Sequence, residues 1–314
     1  PMPTDKTGTE HKYEIIKIAS ELRREAQSIY CKVPTFGLFE KVKSFEGKLA
    51  FVGLPDQTAA LRAICSKNDD IKKKFKFIIG PMVGINMDYE IVKYLPRIFA
   101  KRSLSIKKLR WRYGEWPGSL FVKLENDETY ELPKFHYNFV LPFFCSYETL
   151  MADDFSNESA DISVGDAWSP KYEKLGMGFS LVCSKTKIGE EILQIMKEKK
   201  LTFCEKTELN DAIRMHAHML DFKKRGSQYR RKIFQLLGFS VPRHFSAIAK
   251  FHFSRFVIEI IILLIIILCR SSFARLALTK LNNDLLGKLF SYVRIRWKAI
   301  TKKTKRQGLD EYGT

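Results

Sequence analysis

The sequence predicts a mixed α/β (α+β) fold: a mixed sheet with flanking helices and hairpins, followed by a helical, partly hydrophobic and basic tail. Three observations lead there. Short apolar runs end at Gly or Pro and open directly into helix-patterned segments. Alternating segments around an Asn-Asp turn signal read as a hairpin. A nearly uniform apolar stretch, then basic amphipathic sequence, closes the chain.

The elements follow in order. Residues 12–29 carry Ile15, Ile16, Ile18, Ala19 and Leu22 at near-helical spacing, which predicts a helix. Leu49 to Val52 form an apolar strand punctuated by Gly53 and Pro55, with a helix opening near Gln57. Such a strand-turn-helix layout points backbone N–H groups at an anion. Phe75 to Ile79 repeat the idea, ending at Gly80-Pro81, with a helix from about Asp88. Two hairpin strands follow within residues 110–132, where Phe121, Lys123 and Glu125 alternate with Val122 and Leu124 and Asn126-Asp127 supply the turn. Strands at 160–165 and 178–184 and a helix at 187–199 complete the pattern. The domain division is a helical segment 1–30, expected to be the remnant of a longer N-terminal region, a domain 31–235, and a tail 236–314.

The 314 residues carry a net charge of +19. That excess bears on partners rather than fold. Much of it lies after Cys269, and a second cluster, FKKRGSQYRRK, spans Phe222 to Lys232. Neither accompanies a zinc finger, helix-turn-helix or aromatic RNA-binding motif, so nucleic acid is not the expected partner. Six cysteines without a CxxC pair, and no visible signal peptide, fit a reducing cytosol better than a disulfide framework.

Phe256 to Cys269 is apolar except for Glu259. As helix it reaches about 21 Å at 1.5 Å per residue, short of the roughly 30 Å of a hydrocarbon core. Arg255 or Arg270 then falls near a boundary and is expected to snorkel. The basic segment that follows carries Phe290, Tyr292 and Trp297 as interface aromatics. The expectation is a chain on the cytoplasmic face of an anionic membrane, held by its tail. The other reading is a buried helix covered by an oligomer partner.

Five motifs stand in order: FVGLPDQTAALR (51–62), IIGPMVGINMDYE (78–90), RYGEWPG (112–118), ADISVGDAW (160–168) and GMGFSLVCSKTKIGEE (176–191). Together they resemble the C-terminal domain of the coenzyme F420 hydrogenase/dehydrogenase beta-subunit family. The resemblance covers roughly residues 12–235. It implies a flavin-dependent oxidoreductase that passes electrons between an iron–sulfur cluster, FAD and a substrate such as the deazaflavin F420. The family's glycine-rich flavin segment lies upstream of where this sequence starts.

The departures concern the cluster. Asp56 stands where the family has the cysteine of its Gly-x-Pro-Cys-Gln turn, and Val83 where it has the cysteine after the second strand. Thr149 and Ala152 occupy the places of the CxxC pair that precedes Asp154. A cluster needs thiolate ligands, usually about four. Cys145 lies near the fourth position alone, and a single cysteine reads as a small buried hydrophobe. The expectation is therefore FAD without an iron–sulfur cluster, and a redox partner or F420-like small molecule. A second reading is a non-catalytic accessory protein of a membrane-linked pathway such as surface polysaccharide biosynthesis.

Each candidate cofactor residue has two readings. Gly53, Pro55, Gln57 and Thr58 form a tight turn that either meets a cofactor phosphate or ring edge or is an ordinary capped α/β turn; Asp56 either supplies a carboxylate where the family has a thiolate or, more simply, is an N-cap. Trp116 and Gly118 flank a rigid proline turn, for ring stacking or a packed corner. Arg112 either grips a phosphate or carboxylate bidentately or sits on a solvated strand. Asp161, Gly165, Asp166 and Trp168 belong to the ADISVGDAW strand. Paired acid–base chemistry would need both aspartates in one pocket, and Asp166 with Trp168 is the stronger pair. His216 and His218 point about 200° apart on a helix, a poor chelating pair, so a helix surface is expected. No catalytic residue is assigned and no metal site is expected.

Overall fold

The computed structural model describes residues 2–25, 28–35, 37–133, 137–241 and 251–306. The predicted segments 1–30 and 236–314 therefore lie partly outside the described residues. The chain forms a mixed α/β protein of two compact units. One comprises Pro1–Leu38, Ile85–Leu150 and His252–Lys303. The other comprises Phe39–Gly84, Met151–Phe251 and Thr304–Thr314.

The first unit begins with two short paired strands, β1 (Met2–Pro3) and β2 (His11–Lys12). The helix expected over 12–29 is shorter, Ala19–Glu25. The isoleucines at 15, 16 and 18 precede it, and β-branched side chains are stiff at χ1 and favour extended backbone.

The second unit holds a four-stranded sheet ordered β3 (Leu49–Val52), β4 (Phe75–Pro81), β8 (Ile162–Asp166), β9 (Ser180–Ser184). The first three are parallel and β9 runs antiparallel to β8. Gly53 and Pro55 stop β3 as expected. Pro55 starts helix Pro55–Cys65, where a missing N–H costs nothing, and the Gln57 Oε1 accepts the Leu54 N–H at 2.9 Å. Register aligns Ile79 with Ile162 and Pro81 with Val164. After β9, Thr186 caps helix Lys187–Glu198. Gly189 is demanded there, because a Cβ would stand 2.4 Å from the Asp161 carbonyl oxygen. Helix Leu209–Leu220 runs through a π-helical turn, Asp221–Gly226, into helix Ser227–Leu236.

The basic cluster Phe222 to Lys232 falls in and after the π-turn. Lys223, Arg225, Arg230 and Arg231 are buried. Arg230 donates to the Phe222 carbonyl at 2.6 Å and lies over its ring at 3.9 Å. Arg231 stands 3.5 Å from Asp153, and Lys224 pairs with Glu158. These cations hold the fold rather than present a basic surface.

Back in the first unit, the expected hairpin is a three-stranded meander of β5 (Ile106–Tyr113), β6 (Ser119–Leu124) and β7 (Thr129–Pro133). Asp127 takes the left-handed turn position at φ 63°, which Asn and Asp tolerate best among residues with a Cβ. Alternation buries Leu109, Trp111, Leu120, Val122 and Leu124 on one face. Ile91, Leu95 and Ile98 of helix Ile91–Phe99 pack there too, as does Leu278 of helix Ser272–Lys280.

The tail is helical as expected: Phe253–Cys269, Ser272–Lys280 and Asn283–Arg306. Its arginines do not snorkel. Arg255 is fully buried and paired with Glu259 at 2.7 Å, and Arg270 donates to Asp88 at 2.8 Å. A nearby carboxylate outcompetes outward extension in both cases.

Candidate functional site

Strand β8 organises the second unit. At its N-terminal end Asp161 is buried. Its Oδ2 accepts the Ile78 N–H at 2.7 Å, and its Oδ1 accepts from the Arg62 guanidinium and the Thr186 hydroxyl, both at 2.8 Å. Backbone bonds continue the tie: the Asp161 N–H reaches the Ile78 carbonyl, and the Lys185 N–H reaches the Asp161 carbonyl. Asp161 thus joins β4, β8, β9 and helix Pro55–Cys65.

Asn157, absent from the sequence-derived candidates, does the same work for the strand ends. Its Nδ2 donates to the Gly53 carbonyl at 2.9 Å and the Pro81 carbonyl at 3.3 Å, and its Oδ1 accepts the Thr58 hydroxyl at 2.6 Å. It is wholly buried and sits at φ 60°. A Cβ on Gly80 would stand 2.0 Å from its amide, so Gly80 leaves the room it needs. Gly53, Gln57 and Thr58 are accounted for by this brace and by the helix start. Asp56 is exposed in the first helical turn and is not the expected N-cap, a position that Leu54 holds because the helix opens at Pro55.

The C-terminal end of β8 is different. Gly165 lies against Met82, whose Sδ would be 2.8 Å from an added Cβ. Asp166 and Trp168 follow, with the Trp168 N–H bonded to the Asp166 carbonyl at 3.0 Å. His216 comes to this end from helix Leu209–Leu220. It is 5% exposed, not on the helix surface as expected. Its ring is 5.0 Å from Phe155, and it hydrogen-bonds the Asp166 backbone. The other ring nitrogen, Nε2, is buried without a hydrogen-bond partner. Burial pulls the imidazole pKa below its ordinary value, against the pull of Asp166, so the ring is neutral near pH 7. Ala212, Met215, His216 and Met219 recur at helical spacing, and that stripe is the signal that places His216 inward.

The loop before β8 carries another open valence. Asp154 Oδ2 accepts the Glu158 N–H at 2.8 Å, while Oδ1 is buried without a partner. Burial pushes its carboxyl up, and burial pulls the Lys185 ammonium down.

Arg112, Trp116 and Gly118 belong to the other unit, at the β5–β6 corner. The Arg112 Nε donates to the Pro117 carbonyl at 3.0 Å. Gly118 has φ 82° and is 3.2 Å, by its absent Cβ, from Arg112 Cα, so a side chain there is strained. Thus Gly53, Pro55, Gln57, Thr58, Asp161, Gly165, Asp166 and Trp168 lie in one unit and Arg112, Trp116 and Gly118 in the other. Within the first set, Asp161 and Asp166 stand at opposite ends of one strand and do not form a carboxylate pair.

The sequence profile for the C terminus of the coenzyme F420 hydrogenase/dehydrogenase beta subunit matches residues 46–209, more than half of the chain. It covers all four strands of the β3-β4-β8-β9 sheet and stops short of His216. No curated protein matches. Among solved structures the chain is similar to one in the xenon-derivatised F420-reducing [NiFe] hydrogenase complex from Methanosarcina barkeri. The identity is 21% and the TM-score 0.55, over 74% of this chain and 79% of that one, a likeness of fold. By the profile match, the chain belongs to the coenzyme F420 hydrogenase/dehydrogenase beta-subunit family, with the match falling on that family's C-terminal region.

Proposed function

We propose that this protein is a flavin-binding oxidoreductase component of its family that works without an iron–sulfur cluster. The observation that carries this reading is the profile match across the whole four-stranded sheet. Ligands of open α/β sheets bind outside the carboxyl ends of the parallel strands. Here those ends present Gly53, Met82, Gly165, Asp166 and Trp168. Beside Asp166 stands His216 with an unused acceptor nitrogen, which a ligand N–H or O–H would satisfy.

The two cofactors of the family fit unequally. Asp56, Val83, Thr149 and Ala152 offer no thiolate, and Cys145 is buried with its thiol turned to the Ser146 carbonyl. Cluster iron has no ordinary ligand set in such residues, so no step is assigned to a cluster. For a flavin, the residues fit better: His216 accepts a hydrogen bond, Asp166 fixes the imidazole, and Met82, Phe155 and Met219 supply apolar surface. A bound flavin would bring hydride chemistry, and the protein would orient it and tune it. The reading includes a redox partner, either a protein or an F420-like small molecule.

Visible absorbance of the full chain, purified in detergent and titrated with FAD, tests both parts. The two bands of an oxidised flavin are expected, without the broad shoulder of a cluster. A protein that stays colourless after FAD addition overturns the flavin reading. A cluster shoulder, with iron and sulfide bound, overturns the cluster-free reading.

A further inference from the structure

The helix Phe253–Cys269 is inside out. Its buried stripe starts with Arg255 and Glu259, paired at 2.7 Å and fully enclosed, and continues through Leu263 and Ile266. Its outward stripe is Val257, Ile261, Leu264, Ile265 and Leu268, at one-face helical spacing and 37–69% exposed. A helix that faces water shows the reverse arrangement.

The next helix repeats the inversion. Within Ser272–Lys280, Arg275 turns inward, donating to the Phe143 carbonyl at 2.9 Å and pairing with Glu90. Phe273, 82% exposed, and Leu276, 54% exposed, stand outward. Arg270, between the helices, also turns inward onto Asp88. Arg255, Glu259, Arg270 and Arg275 are thus each ion-paired within the unit. Between residues 253 and 280 the exposed side chains are apolar apart from Ser254, Ser271, Ser272 and Lys280. A contiguous apolar face of this kind marks an interaction surface.

The third helix, Asn283–Arg306, adds charge. Leu286 and Phe290 pack against the core, while Leu285, Leu289, Tyr292 and Val293 are exposed among Lys288 and Arg296. The Arg296 guanidinium lies 5.3 Å from the Tyr292 ring centre. Residues 270–306 contain eleven Lys and Arg and one acidic residue, Asp284.

We propose that the outward face of Phe253–Cys269 and Ser272–Lys280 docks in the interfacial zone of an anionic bilayer, with the basic Asn283–Arg306 helix on the headgroups. The chemistry is that of an interfacial anchor: apolar side chains at the acyl boundary and cations at the phosphates. The charge decides the occupant. A second copy would bring the same patch against itself, and with it the same positive excess. Anionic lipid complements that excess. The geometry favours lying on the membrane: no single helix among the described residues is long and apolar enough to cross one. The pair 253–269 and 272–280 qualifies only when joined across its 72° bend. This proposal does not depend on the flavin reading.

The test is flotation of the full chain, diluted from detergent, with phosphatidylcholine vesicles with and without about one third phosphatidylglycerol. The protein is expected to float with the anionic vesicles, weakly with the neutral ones, and to be partly released by about 1 M salt, where the Debye length falls to about 3 Å. Changing the outward residues together, Ile261→Asn, Leu264→Asn and Leu268→Asn, is expected to weaken partitioning by at least about tenfold with the melting transition unchanged. Lys288→Glu with Arg296→Glu is expected to abolish the preference for anionic vesicles. A full chain that stays at the bottom of the gradient with anionic vesicles overturns the proposal. So does a triple variant that floats like its parent. If the triple variant instead converts a dimer to a monomer in sedimentation and leaves flotation untouched, the face is a self-association surface and the proposal is overturned.

Discussion

Asp161 and Asp166 bracket one short strand, and their surroundings are opposite. At Asp161 the polar groups close on one another: a carboxylate, a guanidinium, a hydroxyl and a backbone N–H, all within 2.8 Å. At Asp166 a buried imidazole is oriented by the backbone yet keeps one nitrogen without a partner. Buried polar groups are almost always paired, and an unpaired one asks for a reason. The closed end holds the sheet together. The open end is where the fold has left capacity for something it does not itself supply.

If that contrast is right, the largest loss comes at the closed end. Asp161→Ala removes three acceptor bonds and leaves the Ile78 N–H buried and unsatisfied, which costs about 3 kcal/mol or more. Little of this comes from the ion pair itself, because Arg62 is 45% exposed and such pairs are worth under about 1 kcal/mol. Chemical denaturation measures it, and a change below about 1 kcal/mol would show that this end is not a brace. Asn157→Leu is next, at about 2 kcal/mol, since it unpairs the Gly53 and Pro81 carbonyls and the Thr58 hydroxyl. Gly80→Ala should resemble it by pushing on the same amide.

At the open end the prediction changes kind. His216→Phe keeps the contact with Phe155 and should shift stability at neutral pH by less than about 1 kcal/mol. It should nevertheless abolish flavin retention. The pH dependence separates the two effects. The folded state holds this imidazole below the ordinary value of 6.5. The folded state therefore binds fewer protons than the unfolded chain as pH falls below 6.5, and stability is lost in that direction. The parent should show that acid slope and His216→Phe should lack it. A variant that keeps the slope would assign it to another group.

How legible these two ends were follows from the range of the interactions that build them. Leu49–Val52, Phe75–Pro81 and Ser180–Ser184 are announced by their own apolar runs and by the Gly and Pro that stop them, so strands and turns could be placed from local sequence. Asp161 was singled out, but its neighbours Arg62 and Thr186 are 99 and 25 residues away, and a spacing cannot reveal that it is consumed by the fold. Asn157 carries no motif; its importance appears only when the β3 and β4 ends are side by side. The two-residue spacing of His216 and His218 excludes chelation and reads as helix surface, whereas the Ala212–Met215–Met219 stripe puts His216 on the apolar face. The inward arginines failed for a related reason. Arg255 and Arg270 look like boundary residues in a linear hydropathy pattern, but Glu259 and Asp88 lie close enough to capture them.

The smallest expected effect sharpens the contrast most. Asp154 also has an open oxygen, in the loop that leads to the closed end. Burial pushes its carboxyl above the ordinary value, so ionisation is disfavoured in the folded state. Its penalty is absent in acid and grows as pH rises from 3.8 through the raised value. Asp154→Asn removes the charge, keeps the shape, and retains an acceptor for the Glu158 N–H. It should stabilise the protein, but by only about 0.5 kcal/mol. The gain is small because Lys185, already pulled down by its own burial, loses an opposing charge. Thermal denaturation well below pH 3.8 and at pH 7 decides it: the two proteins should coincide at the lower pH and separate at the higher. A variant less stable than the parent at pH 7 would mean that the Asp154 charge is needed where it is. The open valence there would then belong to the brace, and the site would be marked by His216 without it.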